Sequence, residues 1–79
     1  MKRMKIRFSY DKTSDTLQID WCDPYPEQDS RSIEKGVLVR VNPETQVVEN
    51  LEILDFEARF GKAKRIELPV TGALQLTVG

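Results

Sequence analysis

Apolar and polar residues alternate through the first part of the chain. Met4, Ile6, Phe8 and Tyr10 share one side, and Lys5, Arg7, Ser9 and Asp11 the other, the period-two signature of a half-buried strand. Asp11, Lys12, Thr13, Ser14 and Asp15 interrupt this pattern with side chains suited to satisfying backbone groups in a turn. Leu17, Ile19 and Trp21 then alternate with Gln18, Asp20 and Cys22, so the first two strands are expected to form an antiparallel hairpin. Asp23 to Ser30 holds two prolines and three acids, which suit neither a ladder nor a helix, and reads as a loop.

Ser32 to Lys35 reads as a short edge strand ahead of Gly36, and Val37, Val39 and Val41 alternate with Leu38 and Arg40. In Asn42-Pro43-Glu44-Thr45 the proline sits where a type I turn wants its fixed φ, so the chain reverses there. Gln46 to Leu54 is apolar enough for a strand, but neither of its alternating faces is cleanly apolar. A bulge near Glu49 and Asn50 resolves the conflict and is expected to turn Glu49 out to solvent. Asp55 is placed as an N-cap, Phe56 and Phe60 lie one helical turn apart, and Gly61 is the stop, which predicts a helix of one or two turns. Ile66, Leu68 and Val70, with Pro69 marking an edge, and then Leu74, Leu76 and Val78 predict two C-terminal strands.

These elements predict a mainly β (α+β) fold over 1–79 as a single domain. It is a small antiparallel sheet of about five to six short strands with one short helix packed on a face. A chain of 79 residues has material for one thin core and none for a deep enclosed cavity.

Composition narrows the chemistry. The chain has no histidine, and so lacks the commonest general base and metal ligand, and its single cysteine excludes an intrachain disulfide or a paired-cysteine zinc site. Cys22 therefore reads as an incidental thiol, and a reducing cytoplasmic setting is expected. No segment of the sequence reads as a secretory signal or a membrane-spanning helix. The net charge of −1 conceals a segregation. Met1 to Lys12 carries +4, Thr13 to Ala58 carries −8 and Arg59 to Gly79 carries +3. Basic ends around an acidic middle suit attraction within the fold or between copies at least as well as attraction to nucleic acid.

The acids Asp11, Asp15, Asp20, Asp23 and Asp29 lack the spacing of a calcium loop, and Asp11 and Asp15 flank a turn where backbone bonding explains them. Glu34, Glu49 and Glu52 are expected to be solvated or paired with a cross-strand cation such as Arg40. No catalytic residue, metal site or cofactor is assigned. Trp21, Tyr25, Phe56 and Phe60 are candidate interface or core aromatics, and Leu74 and Leu76 belong to a last strand with little charge to guard its edge. Beside those aromatics, Lys2, Arg3, Lys5, Lys62, Lys64 and Arg65 are the phosphate contacts an alternative nucleic-acid-binding reading would use.

From Met4 to about Asp55 the chain resembles a family of small bacterial and archaeal proteins catalogued as domain of unknown function two-two-eight-three. The resemblance rests on Tyr10-Asp11, Asp15 and Leu17-Gln18-Ile19, then on Ser32, Glu34 and Gly36-Val37-Leu38-Val39, then on the run from Val47 to Leu54 that includes Glu52. Arg40 and Asn50 depart from it, standing where the family commonly has an acid and a glycine. The segment 56–79, holding the helix and C-terminal strands, lies outside the family-like core 4–55. The resemblance implies a role as the neutralising partner of a small toxin-like protein. Together with the unguarded edge, it makes a non-enzymatic interaction protein the leading expectation, as a homodimer or with a small protein partner and without a membrane.

Overall fold

A computed structural model of the chain describes residues 5–72, 74 and 76. Lys2, Arg3, Met4 and Val78 lie outside them. The alternating segments form β1 (Arg7–Asp11), β2 (Thr16–Asp20), β3 (Asp29–Glu34), β4 (Val37–Val41) and β5 (Val48–Ile53), followed by the helix α1 (Phe56–Phe60). The strands make one antiparallel sheet in the order β1-β2-β5-β4-β3, so the last of these five in sequence is the central one in space.

The register decides the two faces. Tyr10 opposes Leu17, Leu17 opposes Ile53, and Ile53 opposes Val37; Phe8, Ile19, Leu51 and Val39 form the next row. These residues share the apolar face, where Val39, Val41, Leu51 and Ile53 are the buried core. Phe56 and Phe60 of α1, together with Leu68, Leu17, Ile19 and Trp21, pack against it. The opposite face carries Arg7, Asp20, Asn50, Arg40 and Ser30 in one row, and Ser9, Gln18, Glu52, Leu38 and Ser32 in the next.

The expected bulge is present. Asn50 opposes Arg40 but Val48 opposes Val41, which leaves Glu49 as the extra residue of β5. The register shift lets Val48 join Leu51 and Ile53 on the core side while Val47 turns outward, 56% exposed. Glu49 does not turn out. It is buried, because the loop between β2 and β3 folds over it and supplies hydrogen-bond donors.

Four further expectations are corrected. Among the described residues the first strand begins at Arg7, leaving Lys5 and Ile6 outside it, and all five of its residues are exposed, because α1 meets this rim at Tyr10 through Phe56 while Leu68 and the rest of the cover lie over the inner strands. The edge strand expected over Ser32 to Lys35 starts earlier, at Asp29, and includes an extra residue, Ile33, where its pairing with β4 shifts. The run Ile66, Leu68, Val70 is not a strand. Pro69 lacks a ladder donor, and the Val70 amide closes a tight turn onto the Leu68 carbonyl at 2.8 Å, directing Leu68 onto the core. Leu74 and Leu76 lie in no strand either and are 72% and 97% exposed.

Candidate interaction surface

A helix of five residues is too short to hold itself, so its anchors decide where the aromatic residues sit. Asp55 takes the N-cap position in a left-handed conformation, φ 52°, and its side chain makes no capping bond. The cap comes from Asp15, forty residues earlier in the β1–β2 turn. Its Oδ1 accepts from the Glu57 amide at 2.8 Å, its Oδ2 from the Ala58 amide at 3.2 Å, and its carbonyl from the Phe56 amide at 2.9 Å. Asp15 Oδ1 also accepts from the Tyr10 hydroxyl at 2.6 Å. That bond, with the nearby carboxylates, pushes the Tyr10 phenol up to about 12, and the same donors hold the Asp15 carboxyl below its ordinary value. At the other end of α1, Arg59 donates to the Lys35 carbonyl at 2.7 Å and lies 5.0 Å from the centre of the Phe60 ring.

These anchors assemble an aromatic row. Tyr10 meets Phe56 edge-on with ring centres 6.3 Å apart, and Phe56 lies 6.1 Å from Phe60. Phe8, two residues along β1 and on the same face, is 68% exposed. The row therefore runs from the core to an open sheet edge.

The four aromatics singled out in the sequence do not form one platform. Trp21 packs against the core with Phe56 and Phe60, whereas Tyr25 lines a recess with Gln28, Ser30 and Arg40 on the polar face. There the Tyr25 hydroxyl donates to Glu49 Oε1 at 2.6 Å, and burial, followed by that bond, pushes the phenol up to about 12. Gln28 Nε2 donates to Glu49 Oε1 at 3.0 Å and to Asn50 Oδ1 at 2.8 Å, and Asn42 Nδ2 reaches Glu49 Oε2 at 3.3 Å. Asn50 Nδ2 in turn donates to Asp20 Oδ1 and to the Cys22 carbonyl, both at 2.8 Å. Among the described residues every buried side-chain nitrogen and oxygen has a partner. This network closes one end of the polar face. Burial, reinforced by Glu49 and Asp23, raises the pKa of Cys22 and so suppresses its thiolate.

The remaining candidates have local roles. Asp11 Oδ1 accepts from the Thr13 and Ser14 amides at 2.9 and 3.3 Å and shapes the first turn. Glu34 is exposed at the end of β3. Gly36 turns the chain at φ 76°, with the Arg59 guanidinium where a side chain would begin. Glu52 pairs with Arg40 at 3.8 Å, as its cross-strand position suggested. Lys5, Lys62, Lys64 and Arg65 are exposed, and Arg65 lies 3.4 Å from Glu67. Among the described residues no three His, Cys, Asp or Glu side chains form a set able to hold a metal ion, and no helix is long and apolar enough to cross a membrane.

Two features escape the sequence pattern: Phe8 as the most outlying aromatic and the network centred on Asn50. The sequence signal for the second was present, since Glu49 and Asn50 together interrupt the aliphatic alternation of β5. No family model, curated protein or solved structure matches the chain.

Proposed function

We propose that this chain is a non-enzymatic protein-interaction domain that receives an extended strand along β1. One observation carries the reading: β1 ends the sheet with all five residues exposed, and Phe8, 68% exposed, continues the Tyr10–Phe56 aromatic row to that edge. An edge of this kind offers unpaired main-chain groups for affinity and an apolar strip for selectivity. The partner is a second copy or, as the resemblance of 4–55 to the family named above supports, a small toxin-like protein, in a reducing cytoplasmic setting. A second reading, nucleic-acid binding, draws support from Lys62, Lys64 and Arg65, which stand exposed just beyond the Arg59–Phe60 pair.

Recovery of the tagged chain from its own cells tests the proposal, with Phe8→Lys as the comparison because that side chain is mostly in water and its loss leaves the core intact. A specific protein held by the unaltered chain should be lost by Phe8→Lys. Equal retention by both overturns the edge reading. Nucleic acid recovered with both, and released steeply by salt, would put the basic segment in its place.

A further inference from the structure

We propose that the strand received by β1 is the β1 of a second copy, so that two chains join antiparallel about Ser9 into one continuous ten-stranded sheet. This rests on the strand-addition reading and names its partner. The first support is backbone geometry. The Trp21 amide donates to the Glu49 carbonyl, so the main-chain groups of β2 that face β5 belong to its odd-numbered residues. Those of Thr16, Gln18 and Asp20 therefore face β1, where they meet Asp11, Ser9 and Arg7. By the same alternation the outward amides and carbonyls of β1 are those of Phe8 and Tyr10.

The second support is the sequence of the strand itself. When Arg-Phe-Ser-Tyr-Asp pairs antiparallel with its own copy about the serine, Phe8 falls opposite Tyr10, Arg7 opposite Asp11 and Ser9 opposite Ser9. The Phe8–Tyr10 pairs are the hydrogen-bonded ones, matching the groups that face outward. The Arg7–Asp11 and Ser9–Ser9 pairs are the non-hydrogen-bonded ones, where side chains stand closest. One face of the join is then aromatic and runs into Phe56 and Phe60 of both copies; the other has opposite charges in register. The far edge of the sheet does not fit itself in this way. β3 is bulged at Ile33, and self-pairing sets Asp29 against Glu34 or Arg31 against Arg31.

Position 9 lies on the two-fold axis, which makes it the place to test. Analytical ultracentrifugation over a broad concentration range should show a monomer–dimer equilibrium. Ser9→Lys, which sets two ammonium groups face to face, should weaken that equilibrium about fivefold or more. Ser9→Cys should form a reducible covalent dimer under mild oxidation, since Cα atoms at such a pair stand about 4.5 Å apart, within disulfide reach. Thr13→Cys, in the exposed turn beyond the strand, should cross-link far more slowly. Circular dichroism establishes that each variant is folded. A chain that stays monomeric, with Ser9→Cys cross-linking no faster than Thr13→Cys, overturns the homodimer. So does a dimer indifferent to Ser9→Lys. Either result leaves the strand-addition reading to the Phe8→Lys comparison, which fails only if a foreign partner also ignores the edge.

Discussion

Replacing Asn50 with aspartate changes one amide nitrogen into an oxygen at the least exposed polar position of the central strand, which is 1% exposed. In the unaltered protein that nitrogen donates to Asp20 Oδ1 and to the Cys22 carbonyl, both at 2.8 Å. After Asn50→Asp two acceptors face each of those contacts, and near neutral pH two carboxylates face one another beside a buried carbonyl. Two lost donor bonds at roughly 1–3 kcal/mol each, plus the repulsion, give a destabilisation of about 3–5 kcal/mol. That is a large share of the roughly 4–12 kcal/mol expected for a domain of this size.

The pH dependence separates charge from packing. Burial beside Asp20 makes the introduced carboxyl bind its proton more tightly in the folded chain than in the unfolded one, where its pKa is about 3.9. Protonation restores a donor. The deficit should therefore be small below about pH 4 and grow as pH rises through the raised folded value, by up to about 1.4 kcal/mol per unit. Asn50→Ala loses the same donors without adding charge, so its deficit should be nearly constant with pH. Urea unfolding of the three chains at about pH 5 and about pH 7 reads this directly. An Asn50→Asp deficit that does not shrink on acidification, or that matches the alanine deficit at both values, would refute the assignment of Asn50 as donor between Asp20 and Cys22.

Three further outcomes follow from the geometry. Asp15→Asn should bring the Tyr10 phenol down from about 12 towards its ordinary 10, read by ultraviolet titration against Tyr10→Phe. Because the Asp15 carboxyl is held low in the fold, its contribution is complete above the ordinary value of 3.8 and fades as pH falls below it; acid unfolding should show Asp15→Asn losing that limb. Leu51→Ala, at a core position 2% exposed, should cost about 2–5 kcal/mol in urea unfolding with the dependence on denaturant unchanged. Gly36→Ala should cost about 1 kcal/mol or more, and Arg59→Ala should recover only part of that, since it removes the collision but not the strain at φ 76°.

Alternation along the sequence was enough to locate the strand cores, the opening hairpin, the Asn42–Pro43 turn and the irregularity at Glu49–Asn50. It could do so because period-two patterning reports which residues share a face. It does not report whether anything covers that face. Phe8 and Tyr10 alternate as well as Leu17 and Ile19, yet only the second pair packs against the buried core, while Phe8 stands in solvent and Tyr10 meets the rim of α1 at Phe56. The pattern at Ile66, Leu68 and Val70 misled for a different reason: a turn across Pro69 is a local backbone preference that three alternating aliphatics do not override. Nothing in the alternation draws Glu49 inward, because the donors that satisfy it, from Tyr25, Gln28 and Asn42, come from a loop and a turn with no periodicity to read. Asp15 was recognisable as a turn residue, but its reach to the Glu57 and Ala58 amides depends on the sheet bringing the first turn beside the end of β5.

The strand order also dictates a timetable. The β1–β2 and β3–β4 hairpins are complete before β5 is made, yet they do not touch as neighbours; β5 must arrive and slot between them. Neither two-stranded piece has a face worth burying alone, so nascent chains ending before Val48 should stay open. Once β5 emerges, its short connection to β4 makes that pairing quick, whereas β2 must be gathered back across the intervening loop. Substitutions in β4 and β5 should accordingly slow folding, and those in β1 should mainly hasten unfolding, an ordering that stopped-flow rates for Val39→Ala and Tyr10→Phe can contradict.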